Sequence, residues 1–156
     1  MLTRRGALGA ITAGALLGRA SQPATAVNFS VPPNACDCHT HIFGDPKRFP
    51  LWSGRTHTPE PALPQEMSTL HRALHIDRVI IVTPSVYGPD NAATLYGIKA
   101  RGANARGVAV IDDHTSDSDL DAMGCAGIRG IRINAATAGS SDPPLFANDS
   151  ASQPSA

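Results

Sequence analysis

Residues 78 to 83 read Arg-Val-Ile-Ile-Val-Thr, an almost unbroken run of β-branched side chains closed by Pro84. A strand with one wet face alternates apolar and polar positions. This one offers water nothing until it ends, which predicts a strand buried on both faces of its sheet. Strands of that kind belong to parallel sheets, and parallel neighbours need crossover connections, usually helical. Pro84 ends the strand because proline has no N–H to give the ladder.

The rest of the chain fits that constraint. A first strand is predicted over residues 35 to 43, followed by a loop carrying Pro46, Pro50, Gly54, Pro59 and Pro61. From Leu63 the apolar residues Leu63, Met67, Leu70 and Leu74 recur at helical spacing, one buried stripe of a first helix. Pro89-Asp90-Asn91 supplies a turn and cap for a short helix over Ala92 to Arg101. A third strand runs from Gly107 to Ile111. Ser116-Asp117-Ser118-Asp119 then caps a helix reaching about Met123, its acidic residues at the positive end. Gly127 to Asn134 completes a fourth strand. Four strands with three intervening helices and no hairpin signal predict parallel βαβ units. From residue 135 Ala, Ser, Asp and Pro dominate, with Leu145 and Phe146 as the only large apolar side chains, so residues 135 to 156 are expected to be a disordered tail.

Basic and acidic side chains balance at 13 each, and no Lys/Arg run lies beyond the extreme N-terminus, which argues against a nucleic-acid partner. That N-terminus reads as a targeting signal. Thr3-Arg4-Arg5-Gly6-Ala7-Leu8 is a twin-arginine n-region, Ala7 to Gly18 is weakly apolar, and Ala24-Thr25-Ala26 is an A-x-A cleavage site. Residues 1 to 26 are therefore expected to be a signal peptide of twin-arginine type, giving a periplasmic or secreted protein with no membrane span after cleavage. The apolar run is shorter than the roughly 20 residues a bilayer needs.

Chemistry concentrates in Cys36-Asp37-Cys38-His39-Thr40-His41. On a strand, residues two apart share a face, so His39 and His41 are expected to point together, with Asp37 in the same row. Their Cα atoms would stand about 6 to 7 Å apart, close enough for both imidazoles to converge on one metal ion or one substrate oxygen. Cys36 and Cys38, on the opposite face, read as small buried hydrophobes rather than as disulfide partners or ligands. His71 and His75 are spaced i, i+4, but no Glu follows His71, and beside Leu70 and Leu74 they read as boundary residues. Asp112-Asp113-His114 closes the third strand in a cap or turn role. No phosphate-binding glycine loop and no nucleophile elbow is present.

Taken together, Asp37-Cys38-His39-Thr40-His41-Ile42-Phe43-Gly44, the loop segments Arg48-Phe49-Pro50 and Thr58-Pro59, the stretch Val82 to Asn91, and Arg129-Gly130-Ile131-Arg132-Ile133-Asn134 resemble the amidohydrolase-related family of metal-dependent-hydrolase barrels. Within it they are most similar to the 2-pyrone-4,6-dicarboxylate lactonase-like branch. The resemblance covers roughly residues 34 to 134. It implies a partial TIM (β/α)8-type barrel, residues 27 to 134 forming its N-terminal half, with the strand-one histidines at the C-terminal mouth where such barrels place their chemistry.

In most of the family, as the resemblance implies, His39 and His41 would bind a divalent metal, zinc or manganese, that activates water. In the lactonase-like branch they would polarise the scissile carbonyl without metal. With both histidines facing inward, alternation puts Arg132 and Asn134 in one row of strand four and Arg129 on the other face. Arg132 is then the candidate to grip a substrate carboxylate through a bidentate pair, or else to bridge to a strand-end carboxylate such as Asp112. Ser85, just past strand two, is placed either to bond a substrate oxygen or to form the turn. His57 stands where the lactonase-like loop carries an aromatic hydroxyl, which makes it a further substrate-binding candidate.

No Lys or Arg follows Arg132, whereas lactonase-like members carry more. The chain left after signal cleavage is about half the roughly 250 residues of a complete barrel. The expected function is accordingly a truncated hydrolase opening a lactone or related carboxylated ring. The alternatives are an exported metal- or anion-binding module without turnover, or an inactive fragment.

Overall fold

The computed structural model describes residues 27 to 133. The expected signal peptide, the expected tail and Asn134 lie outside them. The order is β1 (Cys36–Thr40), α1 (Pro64–Ala73), β2 (Arg78–Val82), α2 (Ala92–Arg101), β3 (Ala105–Val110), α3 (Asp117–Cys125) and β4 (Ile128–Arg132), with short 3-10 turns after β2 and α2. The four strands form one sheet in the order β1-β2-β3-β4, every pair parallel. This is the expected βαβ progression, and it forms part of a TIM-barrel-type fold.

One face of the sheet carries the core. Val79, Ile81, Ala105, Ala109 and Ile128 pack with Ile42 against Met67 of α1 and Ile98 of α2. Helix α2 can lie flat on the sheet because Gly97 has no side chain. A Cβ there would meet Ile42 Cγ1 at 2.7 Å and Ile81 Cδ1 at 2.9 Å. In β2, Val79, Ile81 and Val82 are buried while Ile80 is half-buried, so the continuous apolar run is only partly covered on its second face among the described residues.

The α1 stripe differs from the expected one. Leu63 stands outside the helix as its extended N-cap, and the buried residues are Pro64, Met67 and His71. Leu70 is 48% exposed. The stripe is rotated because α1 turns His71, not Leu70, toward β1, where a carboxylate awaits it.

The helix-capping expectations hold for α3. Ser116 Oγ accepts from the Asp119 N–H at 3.2 Å, and Asp119 Oδ2 accepts from the Ser116 N–H at 3.0 Å. The Ser116 hydroxyl also donates to Asp119 Oδ2, and this bond, followed by the one from the Ser116 N–H, lowers the Asp119 pKa. Asn91 is the N-cap of α2, yet its side chain looks away from the helix. Its Oδ1 accepts from Thr83 Oγ1 at 2.8 Å and from the Val110 N–H at 2.9 Å, and its Nδ2 donates to the Val110 carbonyl at 2.8 Å. One amide thereby ties the C-terminal ends of β2 and β3 together.

The long connection after β1 is anchored at the same end of the sheet. Phe43 and Ala62 form an isolated antiparallel bridge that closes its base. The Gly44 N–H donates to the Tyr87 hydroxyl at 2.9 Å, and the Trp52 N–H to the Val86 carbonyl at 2.8 Å. Phe49 stacks on Tyr96 at 5.3 Å with the Arg48 guanidinium over both rings. A second apolar cluster of Phe49, Val86, Tyr87 and Ala93 results.

Candidate active site

Two irregularities decide which side chains reach the face opposite the helices. In β1, Asp37 pairs with Val79 but Thr40 with Ile81, three residues against two. That extra residue is a β-bulge, and it reverses the parity of the strand between Asp37 and the histidines. In β3 and β4, Gly107 pairs with Ile128 but Val108 with Gly130, so β4 also slips by one. Ile128 therefore enters the helix-covered core, while Arg132, opposite Val110, joins the other face.

His41 follows β1 directly and is half-buried, with Nδ1 2.7 Å from the Val82 carbonyl. A carbonyl only accepts, so Nδ1 carries the proton and Nε2 keeps its lone pair. Burial lowers the His41 pKa, the bond to Val82 opposes the shift, and positive charge on His39 and Arg132 reinforces it. A neutral imidazole with a free Nε2 is the result. The exposed His39 ring meets it edge-on, centroids 5.1 Å apart. Arg132 reaches back from β4 to donate from Nη1 to the Thr83 carbonyl at 3.3 Å. His41 and Arg132 thus dock on consecutive carbonyls at the end of β2, and His39, His41 and Arg132 share one face, as expected from the sequence.

Asp37 does not share it. Its Oδ2 lies 3.1 Å from His71 Nε2 on α1, and its Oδ1 accepts from the His39 N–H at 3.0 Å. The expectation of a single Asp37-His39-His41 row is corrected by the bulge. The cysteines are corrected too. Cys36 is half-buried and Cys38 exposed rather than packed inside, and with Cys125 both are free thiols.

Ser85 opens the 3-10 turn Ser85–Tyr87, its carbonyl accepting from the Gly88 N–H at 3.0 Å. Its hydroxyl makes no hydrogen bond among the described residues. His57 is exposed on the long connection, where Nδ1 sits 3.4 Å from Thr56 Oγ1. Neither is hydrogen-bonded to the His39, His41 and Arg132 group. Asp112 does not pair with Arg132 either. Its Oδ1 accepts from Thr115 Oγ1 and from the His114 N–H, each at 3.1 Å, which is the expected turn role. Arg129, on the other face, donates to the Gly124 carbonyl at the end of α3.

Sequence reasoning missed the Asn91 clamp and the Asp37–His71 pair. Their signal was an Asn beside a strand end and a His on a helix's apolar face, both of which read as bland.

Among the described residues no group of three His, Cys, Asp or Glu side chains converges on a metal position. Two imidazoles beside a guanidinium fall short of the three protein donors a catalytic zinc takes. That donor set suits an anionic oxygen better than a cation. A surface cavity of about 550 Å³ lies elsewhere, lined by Pro89, Asn91, Asp112, Thr115 and Met123 among others.

A family model described as Amidohydrolase matches residues 36 to 150. The chain belongs to the amidohydrolase family. It is 36% identical over 106 residues to a 2-pyrone-4,6-dicarboxylate hydrolase of Comamonas testosteroni, covering 68% of this chain and 35% of that protein. It is 30% identical over 107 residues to a 4-sulfomuconolactone hydrolase of Hydrogenophaga intermedia, covering 69% and 35%. A D-galactarolactone isomerase of Agrobacterium fabrum is 33% identical over 111 residues, covering 70% and 37%. The chain therefore spans about a third of the length of these curated relatives.

Two crystal structures share its fold. An Agrobacterium tumefaciens protein in its apo form superposes with a TM-score of 0.61 at 30% identity, covering 69% of this chain and 39% of that one. A probable 2-pyrone-4,6-dicarboxylic acid hydrolase from Acinetobacter baumannii, with citric acid bound, gives 0.60 at 25%, covering 64% and 37%. The amidohydrolase resemblance and its lactonase-like branch are borne out.

Proposed function

We propose that this amidohydrolase-family chain contributes His39, His41 and Arg132 to a site that opens a carboxylated lactone by water attack. The observation that carries the reading is the convergence of His41 and Arg132 on the adjacent carbonyls of Val82 and Thr83, with His39 against the His41 ring. A permanently charged guanidinium beside an uncharged imidazole is suited to hold an anionic ring while a proton is taken from water.

The protonation pattern divides the work. His41 has committed its N–H to Val82, so its Nε2 cannot donate to a carbonyl oxygen but can accept a proton from the attacking water. As the water oxygen bonds to the lactone carbon, negative charge develops on the carbonyl oxygen, and the exposed His39 ring is the imidazole free to donate there. The ring C–O bond then breaks as the carbonyl re-forms, and the leaving oxygen takes the proton that His41 accepted from water. Arg132 holds a substrate carboxylate throughout. Ser85 and His57 are the candidates for further substrate contacts from the neighbouring loops.

Relatives bearing the names of a pyrone dicarboxylate hydrolase and a sulfomuconolactone hydrolase support an anionic lactone as substrate. The N-terminal Arg4-Arg5 pair and Ala24-Thr25-Ala26 support export to the periplasm or beyond. No helix of the described residues is long and apolar enough to cross a membrane.

The test is hydrolysis of 2-pyrone-4,6-dicarboxylate and 4-sulfomuconolactone by the purified chain. Turnover that survives chelation supports the metal-free route, and turnover lost to chelation and restored by zinc or manganese supports the metal-dependent one. Tight binding without turnover would instead favour an anion-binding module, a reading kept in view because β1 and β4 each have one strand neighbour among the described residues. Fractionation of cells making the chain with Arg4 and Arg5 changed to Lys checks export, which should fail.

A further inference from the structure

We infer that Asp37 and His71 are positioning residues for the site, a carboxylate–imidazole pair that holds the β1 bulge and thereby aims His39 at the mouth. The inference rests on the proposed function for its consequence, while its geometry stands without it.

An unbulged strand would place Asp37 and His39 on the same face. The structure needs them on opposite faces, Asp37 toward the helices and His39 toward the mouth, and the bulge makes that possible at the cost of ladder pairing. The N–H groups released from the ladder must find other acceptors. Asp37 supplies one, with Oδ1 3.0 Å from the His39 nitrogen. The other carboxylate oxygen is held by His71, Nε2 to Oδ2 3.1 Å, from a helix position that is 2% exposed.

A carboxylate oxygen only accepts, so both partners donate, and His71 carries its proton on Nε2. Among the described residues His71 Nδ1 is buried without a hydrogen-bond partner. An apolar side chain would cover that spot on α1 without leaving a polar atom stranded, so packing alone does not account for a histidine there. The link to Asp37 does.

Outer-shell partners that orient metal-ligating histidines are worth about 10- to 100-fold in metal affinity or activity when removed, which sets the scale for a positioning contact. Here the carboxylate acts on the backbone of His39 rather than on its ring, and His71 acts on the carboxylate.

The test uses the full chain labelled with nitrogen-15. Asp37→Ala removes both acceptors, His71→Leu removes the anchor, and His71→Gln restores a donor. Amide hydrogen exchange at His39 is read against exchange in β2 and β3, together with the affinity for citrate and for 2-pyrone-4,6-dicarboxylate.

The expected result is a loss of protection at His39 of 10-fold or more in Asp37→Ala and His71→Leu, with β2 and β3 amides unchanged and partial recovery in His71→Gln. Unchanged exchange at His39 would overturn the inference. So would an even fall in protection across all strands, which would assign the pair to general stability. Wild-type chain that binds and hydrolyses no lactone, but whose His39 amide responds as expected, would sink the functional reading and leave the positioning pair standing.

Discussion

The two faces of one four-stranded sheet are built on opposite terms. The helix-covered face presents Val79, Ile81, Ala109 and Ile128, packed against Met67 and Ile98 until almost nothing is exposed. The other face presents two imidazoles and a guanidinium, of which His41 and Arg132 hold strand-end carbonyls. Nothing in local composition separates them, since both draw on strands of similar length and β-branched content. What separates them is parity, and at β1 and β4 parity is set by a bulge. One inserted residue turns a row of side chains from solvent to core, which is why a fold can place reactive groups and packing groups a single residue apart.

If the faces differ in this way, the largest stability loss belongs to the packed one. Ile81, fully buried, should cost about 2 to 5 kcal/mol on replacement by Ala, read by urea denaturation. A loss under about 1 kcal/mol would mean that the helices do not close on this face.

Arg132→Met should show the converse. Affinity for 2-pyrone-4,6-dicarboxylate is expected to fall by about 10- to 100-fold, the worth of a charge-assisted hydrogen bond, while stability moves by less than about 1 kcal/mol. Equal binding by the variant would remove the guanidinium from the site.

Asn91 lies at the junction of the two faces, and Asn91→Ala leaves both backbone groups of Val110 without their side-chain partner. A stability loss of about 1 to 3 kcal/mol is expected, with exchange at Val110 rising first. Unaltered Val110 exchange would show that the amide does not clamp β2 to β3.

The smallest effect concerns His41, whose pKa is lowered chiefly by burial. Above the ordinary imidazole value of about 6.5 the folded and unfolded chains are both neutral here, and His41 adds no pH dependence. Below it the unfolded chain takes up the proton first. Stability therefore falls with pH until the lowered folded value is passed, and then levels. Denaturation curves of His41→Gln against the parent chain between about pH 7 and 4 should show that segment flattened. Identical curves would mean that the half-buried ring is not desolvated. The same shift keeps Nε2 free at pH values where an ordinary histidine would be charged, so turnover dependent on it should persist to lower pH.

Much of this was legible in the sequence because it is local. The continuous apolar run fixed β2 and the parallel sheet, and the turn at Pro89-Asp90-Asn91 fixed the limits of α2. Ser116-Asp117-Ser118-Asp119 announced the start of α3, where the structure closes a capping box. His39 and His41 could be assigned to one face by counting in twos, because alternation within a strand is a property of the backbone, whereas Arg132 joins that face only through the slip in β4.

Counting fails where an extra residue enters, and no residue in Asp37-Cys38-His39-Thr40 declares a bulge. Whether the strand slips depends on what the neighbouring strand and helix offer the released groups. Only the folded chain brought His71 within 3.1 Å of Asp37, and it placed the Asn91 amide between two strands. The sequence by itself determined which segments are strands and helices and in what order they run, since hydrophobic period and capping act over a few residues. The tertiary structure alone decided which way Asp37 turns and which carbonyls His41 and Arg132 meet, because those outcomes depend on partners more than thirty residues away.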